Sequence, residues 1–157
     1  MWLRESALLA ALLWVEVATA GELWLVELEG DDGLTLDMMG ARVERGSAPV
    51  WRAGRLDGEP LRPGDRLALW VEQGVALRIE VQEHPAPIRD PWRRGQDRVA
   101  SLDGNELTLA HLGRVTWDER VAWVNGSAAD LAPGRELVLT RDGAGVLIEI
   151  LIVNPEE

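Results

Sequence analysis

Two blocks of residues occur twice along the chain in the same order, and this internal repetition constrains the possible folds more than any other feature. The first block consists of Leu28, Gly30, Leu34-Thr35-Leu36 and Gly40, and its second copy consists of Leu102, Gly104, Leu107-Thr108-Leu109 and Gly113. The second block runs from Leu61 to Leu69 and recurs from Leu131 to Leu139. Matching blocks in matching order indicate the internal duplication of one β-rich unit.

Each copy is short for an independent domain. A copy spans roughly 55 residues, close to the size at which a lone hydrophobic core becomes marginal. We therefore expect the two copies to pack against each other or to share strands.

Strand and turn signals fill both copies. Residues 23–28 form an extended apolar run, and the next residues, Gly30-Asp31-Asp32-Gly33, suit a tight hairpin. These patterns predict an all-β fold of two tandem, small, antiparallel β-barrel-like (OB-like) repeats after an N-terminal signal-like helix. The expected divisions are a signal peptide at 1–20, a first repeat at 21–83, a Pro- and Arg-rich linker at 84–97 and a second repeat at 98–157.

The repeated Leu-x-Pro-Gly segment has a structural explanation. Pro63 and Pro133 fix φ at the second position of a turn, while Gly64 and Gly134 accept a positive φ at the third. We expect these four residues to form chain corners without a role in ligand binding.

The N-terminal segment is typical of a secretory signal peptide. Residues 7–15 are apolar, and Ala18-Thr19-Ala20 offers small residues before a cleavage point at Gly21. Glu5 and Glu16 fit this pattern poorly, so a helix packed on the repeats and an uncleaved anchor stay open as alternatives. The apolar run is shorter than the ~20 residues that a stable membrane span needs. We expect a secreted or cell-envelope protein, with a cytoplasmic location as the alternative.

The charge composition argues against two classes of partner. The net charge is -11, and such a field repels nucleic acid and anionic lipid. Arginine supplies all of the positive side chains, and Arg89, Arg93, Arg94 and Arg98 cluster in or beside the linker. These arginines either pair with the acidic repeats or form a recognition loop for an anionic partner.

The residues offer little chemistry. The chain has no Cys, which excludes disulfides, thiolate metal sites and Cys nucleophiles. Its two histidines lack a metal-ligand spacing, and the acidic turns do not follow the EF-hand pattern. We expect no enzyme, no metal and no cofactor.

All of the aromatic residues are tryptophans, eight in number. Trp51 and Trp123 take comparable positions in the two copies, which favours a core role. Trp92 and Trp117 have no counterparts and are the candidate ligand-binding residues, since exposed Trp stacks on sugars and anchors interfaces.

The second copy resembles a group of small β-barrel domains of unknown function that occur, often in tandem, in exported bacterial proteins, including surface-layer and lipoprotein-like chains. The resemblance is carried by Val99-Ala100-Ser101-Leu102-Asp103-Gly104, Leu107-Thr108-Leu109, Val124-Asn125-Gly126 and Asp130-Leu131-Ala132-Pro133-Gly134. It implies a cell-envelope setting and no catalytic residues.

Three functions follow as hypotheses. The first is a non-catalytic exported β-module with a structural or binding role at the bacterial cell envelope, where its partner is a protein or a polysaccharide. The second is a carbohydrate-binding module that uses exposed Trp92 or Trp117. The third is a small-barrel hydrolase with a pair of carboxylates in a cleft.

Overall fold

A computed structural model describes residues 21–83 and 91–154 of the chain. These residues form thirteen strands and no α-helix, which confirms the all-β fold class. The predicted signal-like helix, residues 84–90 of the predicted linker and residues 155–157 lie outside the described residues. Within the described ranges, no helix is long and apolar enough to cross a membrane.

The strands fall into two groups along the chain. The first half contains β1 (Glu22–Asp31), β2 (Thr35–Met38), β3 (Ala41–Glu44), β4 (Val50–Arg52), β5 (Arg55–Leu56), β6 (Arg66–Glu72) and β7 (Val75–Val81). The second half contains β8 (Trp92–Asp103), β9 (Glu106–Leu109), β10 (Gly113–Thr116), β11 (Ala122–Val124), β12 (Glu136–Arg141) and β13 (Leu147–Ile152). A single 3-10 turn, Ala128–Asp130, precedes β12.

Most strand pairings of the first half have a counterpart in the second. β1 pairs antiparallel with β6 as β8 does with β12, and the hairpin of β6 and β7 matches that of β12 and β13. β4 runs parallel to β7, and β11 runs parallel to β13. Val26 and Asp97 take equivalent places, because Val26 lies opposite Leu67 and Asp97 lies opposite Leu137.

The register corrects the equivalences of the first repeated block. Leu28 corresponds to Val99 and not to Leu102, because Leu28 pairs with Met38 where Val99 pairs with Leu109. Leu36, and not Leu34, corresponds to Leu107, because Leu36 pairs with Val43 where Leu107 pairs with Val115. Leu34 lies between strands and its side chain is 76% exposed, whereas Leu107 is fully buried. The apolar residues of a short hairpin can be aligned in more than one way, and strand pairing decides between them.

The sheet is mixed rather than purely antiparallel. β1 and β8 pair in parallel, with Leu23 opposite Trp92 and Leu25 opposite Gly95, and this pairing joins the halves into one sheet. The two halves are therefore joined directly through hydrogen-bonded strands. β8 already begins at Trp92, so residues 92–97 belong to a strand and not to the linker.

The apolar side chains form two core clusters, and β1 contributes to both. Val26 and Leu28 are buried with Leu67 in the core of the first half. Leu23 and Leu25 are buried in the other core, with Leu137 of the second half. This division follows from the alternation of side chains along a strand. Ala68 of β6 also lies in the second core.

The Leu-x-Pro-Gly segments form equivalent turns. The N–H of Asp65 donates to the O of Arg62 at 3.0 Å, and that of Arg135 donates to the O of Ala132 at 3.0 Å. Gly64 has φ +92° and Gly134 has φ +87°, as the third position of a type II turn requires. Each glycine N–H also bonds across to the long first strand of its half, at Leu28 O and Val99 O. In both halves, the turn therefore bonds to the first strand at the equivalent residue.

Candidate functional site

Trp92 is a core residue, which removes it as an exposed ligand-binding side chain. Its relative exposure is 7%, and it belongs to the second core cluster. The guanidinium of Arg141 lies 3.7 Å from the centroid of its ring and donates to its backbone O. A stacked cation and a packed core leave no face of the ring for a sugar. The sequence analysis misplaced Trp92 because three prolines precede it.

Trp117 is half-buried at the end of β10. Its ring meets that of Trp123 edge to face, with centroids 5.7 Å apart, and both rings pack against the second core. Trp123 thus has the core contact that the sequence analysis expected. Trp51 differs, because its equivalent by register is Val124, and its ring lies beside Arg78 at 4.8 Å. A shift of one residue moves a strand side chain to the opposite face.

The arginines near the start of β8 serve the junction between the halves. Arg93 forms an ion pair with Glu22 at 3.5 Å, and Arg94 donates to the backbone O of Met39 at 3.1 Å. The Arg94 guanidinium lies 5.5 Å from the ring of Trp24, and burial lowers its pKa. These contacts agree with the interpretation that the arginines fix the placement of the halves.

Asp97 is a buried carboxylate at the position that Val26 takes in the first half. Its oxygens accept backbone N–H bonds from Arg98, His111 and Leu112 at 2.6–2.8 Å, and Nδ1 of His111 lies 3.0 Å away. Burial opposes its ionisation, but the hydrogen bonds outweigh burial and hold the pKa of Asp97 below its ordinary value. Asp97 therefore acts as an anchor for the turn between β9 and β10.

A cleft of about 600 Å³ lies between the two halves. Gln96 is 4% exposed at this cleft and is fully engaged, since it accepts from Glu27 N–H at 3.2 Å and donates to Glu136 at 2.7 Å. Asp130 accepts the N–H of Ser127. The polar groups at the cleft thus bond to one another, as expected of a joint between two packed units.

The carboxylates at this cleft are the candidates for a hydrolytic pair. Its walls include Glu27, Glu29, Asp130 and Glu136. Asp130 and Glu136 are engaged as above, which leaves Glu27 and Glu29, two residues apart on one face of β1. Glycoside hydrolysis uses two carboxyl groups that flank the scissile bond. Residues on opposite walls of the cleft would supply such a pair more directly than Glu27 and Glu29, which share one strand face.

A second groove, of about 400 Å³, borders β10 and is here called the β10 groove. Its walls are Arg114–Thr116 of β10, the turn residues Trp117, Asp118 and Arg120, the side chain of Arg141 and residues 145–147. Among the described residues, β10 pairs only with β9, so its other edge faces the groove.

The corresponding edge of the first half is closed. Glu44 of β3 pairs with Val75 of β7, and its N–H donates to the O of Gly74 at 2.8 Å. The two halves differ here because of a loop length. Gln73-Gly74 joins β6 to β7, whereas residues 142–146 join β12 to β13.

The longer loop is bonded to itself. The carboxylate of Asp142 accepts the N–H groups of Ala144 and Val146, both at 2.9 Å, and the N–H of Asp142 donates to Val146 O. The loop is thus held by bonds within itself, and no hydrogen bond among the described residues joins it to β10.

Backbone groups of β10 point into the groove. The N–H of Trp117 donates to Asn105 O on the β9 side. Backbone groups point to alternate sides along an antiparallel strand. Val115, two residues before Trp117, therefore directs its N–H and C=O groups to β9. Arg114 and Thr116 direct their N–H and C=O groups to the groove. No described residue accepts a hydrogen bond from either N–H.

The groove is basic in an acidic chain. Its walls carry Arg114, Arg120 and Arg141. Arg120 forms an ion pair with Asp118 at 2.7 Å, and the guanidinium of Arg141 donates to Trp92 O, so Arg114 is the least engaged positive charge of the groove. Arg114 is 76% exposed, with Glu106 at 4.0 Å. Hydrogen bonds from Arg120 hold the pKa of Asp118 below its ordinary value, and burial lowers the pKa of Arg141, which stays charged.

The acidic turns of the first half are engaged in local structure. Asp32 accepts the N–H groups of Leu34 and Thr35, and Asp31 bonds to the guanidinium of Arg45. Within 21–83 and 91–154, no group of three or more His, Asp or Glu side chains could hold a metal ion.

The sequence analysis named Trp117 at this site and missed its arginines. The sequence feature that could have pointed to this groove was the length of the 142–146 loop, because the equivalent turn, Gln73-Gly74, has two residues. No protein-family model matches the chain, and no curated protein matches it.

Proposed function

We propose that this protein is a non-catalytic, exported binding module of the bacterial cell envelope, built from two copies of a barrel-like unit, and that its β10 groove binds an anionic partner. The matching strand pairings of the two halves support the duplication. One observation carries the binding role: the groove joins a strand edge that no described strand pairs with to the exposed side chain of Arg114, in a chain of net charge -11. The first half closes the same edge with its own backbone, so the second half is the copy that offers a site.

A titration of the groove tests the binding role. Trp117 lies in its wall, so a bound polyanion should change tryptophan emission. The probes are polygalacturonate and polyglutamate at low ionic strength, where exposed charges are least screened. The variant Arg114→Glu should lose the response.

The first half supplies the matched control. Arg42 takes the place of Arg114 by register and is 70% exposed, but its strand edge is closed at Glu44. The variant Arg42→Glu changes the net charge by the same amount and should leave the response intact. An equal loss of the emission response in both variants would show that overall charge alone attracts the polyanion, and the groove would not be the site.

Export is tested separately. The proposal rests on the apolar run and the small residues before Gly21. Expression in a bacterial host, followed by N-terminal sequencing of the exported protein, should give a chain that begins at Gly21. Soluble cytosolic protein with Met1 intact would contradict export.

Carbohydrate binding is the second candidate, and the exposed part of the Trp117 ring is the observation that favours it. With Trp92 in the core, this function now depends on one ring. A neutral polysaccharide should then quench emission in the natural chain and not in Trp117→Ala. Equal responses of the two proteins would remove this candidate.

A further inference from the structure

We propose that the partner of the β10 groove is an acidic peptide segment that adds to the sheet as an extended strand beside β10. This inference rests on the proposed function and names its ligand class. Three observations support it: the β10 backbone groups that no described residue binds, the precedent within the same chain and the charge of the walls.

The free backbone supplies the binding mode. Arg114 and Thr116 direct N–H and C=O groups into the groove, and a strand edge with such groups can pair with another backbone. Extended peptides that bind in this way gain affinity from main-chain hydrogen bonds and specificity from alternate side chains. Because β10 has four residues, the bound segment needs only about four to six.

The first half shows that this edge accepts a strand. There the N–H of Glu44, equivalent to that of Thr116, donates to Gly74 O, and Val75 begins a parallel strand beside it. The peptide would take the place that Gly74 and Val75 occupy in the first half. The 142–146 loop leaves that place open, because none of the hydrogen bonds among the described residues joins it to β10.

The positive charge of the groove walls favours an acidic peptide over a second copy of this chain. The guanidinium of Arg114 points away from the core at a position where alternate side chains of a paired strand would lie. Arg120 lies at the end of the same groove. Arg120 is already paired with Asp118, so a carboxylate-bearing strand gains chiefly from Arg114, whereas a second copy of this chain would bring another Arg114 against it.

The experiment measures the anisotropy of a fluorescein-labelled peptide of alternating glutamate and valine, titrated with the full chain. The peptide should bind, and the variants Thr116→Pro and Arg114→Glu should each weaken binding at least tenfold. Proline removes the N–H that faces the groove and is tolerated on an edge strand. Arg42→Glu should bind as the natural chain does.

Two further probes keep the test independent of variant folding. The same peptide with N-methylated valines cannot pair through those positions and should bind at least tenfold more weakly. A peptide of alternating lysine and valine should not bind. Equal affinity of the N-methylated and unmodified peptides would overturn strand addition.

The outcomes separate this inference from the proposed function. If polygalacturonate binds in an Arg114-dependent way but the glutamate–valine peptide does not, the anionic site stands and the peptide ligand is refuted. If neither binds in an Arg114-dependent way, both fall. If the chain forms a dimer that Thr116→Pro dissociates and that excludes the peptide, the occupant is a second copy and the inference is overturned.

Discussion

Replacement of Asp97 by asparagine should sharply destabilise the fold. The two side chains have nearly the same shape, so the change removes a charge and one acceptor without opening a cavity. One oxygen of Asp97 accepts from Arg98 N–H and lies beside His111 Nδ1, while the other accepts from the N–H groups of His111 and Leu112. An asparagine oxygen can serve one of these pairs, and its NH2 group must face the other.

The size of the effect follows from the number of donors affected. With the amide oxygen toward the N–H groups of His111 and Leu112, the N–H of Arg98 loses its acceptor and faces an NH2 group, and a hydrogen bond to a charged group contributes about 1.5–3 kcal/mol. Because donors left without a partner keep their desolvation penalty, we expect Asp97→Asn to lower the free energy of unfolding by about 2–4 kcal/mol. Urea titration followed by tryptophan emission at pH 7 measures this difference. Asp103→Asn, an exposed change on the same strand, is the control and should lie within about 0.5 kcal/mol of the natural chain.

The pH dependence gives a second test. The pKa of Asp97 is lower in the folded chain than its ordinary value of 3.8, so the ionised group stabilises the fold above that value. This stabilisation is lost as the pH falls through the lowered pKa. The gap between the natural chain and Asp97→Asn should therefore be constant above about pH 5 and narrow below pH 3.8. A gap under about 0.5 kcal/mol at neutral pH, or one that does not narrow in acid, would refute the assigned role.

Four other substitutions test the fold. Gly64→Ala and Gly134→Ala should each lower the free energy of unfolding by about 1–2 kcal/mol in urea titrations, because both glycines have positive φ; a neutral result at either would contradict the turn geometry. Trp92→Ala should lower it by about 3–5 kcal/mol, and a stable variant would return Trp92 to the candidates for surface binding. Leu23→Ala should lower it by about 2–5 kcal/mol, and an unchanged midpoint would show that Leu23 does not belong to the second core.

The strands and corners were predictable because local chemistry determines them. Alternation along residues 75–81 and the Pro-Gly pairs at 63–64 and 133–134 need no distant contact to be interpreted. The start of β8 was not predictable in this way. Trp92-Arg93-Arg94 is typical of a basic linker, and groups distant in sequence, the carbonyls of Met39 and Arg141 and the carboxylate of Glu22, accommodate its arginines within a sheet.

The candidate site was predictable only in part for the same reason. Trp117 stood out as a tryptophan without a counterpart, and it lies in the wall of the groove. Among the described residues, no strand pairs with the second edge of β10, and this depends on the tertiary pairing of the strands. A difference of three residues between two hairpin loops produces it, and composition carries no trace of that difference.

The alternation of β1 has a consequence for any attempt to divide the protein. Expressing residues 21–83 alone would leave Leu23, Leu25 and Ala68 facing water, while residues 91–154 alone would lack three side chains of their interior. Neither fragment should be soluble and folded by itself, and mixing the two should restore native tryptophan emission through complementation. The two halves therefore depend on each other to fold.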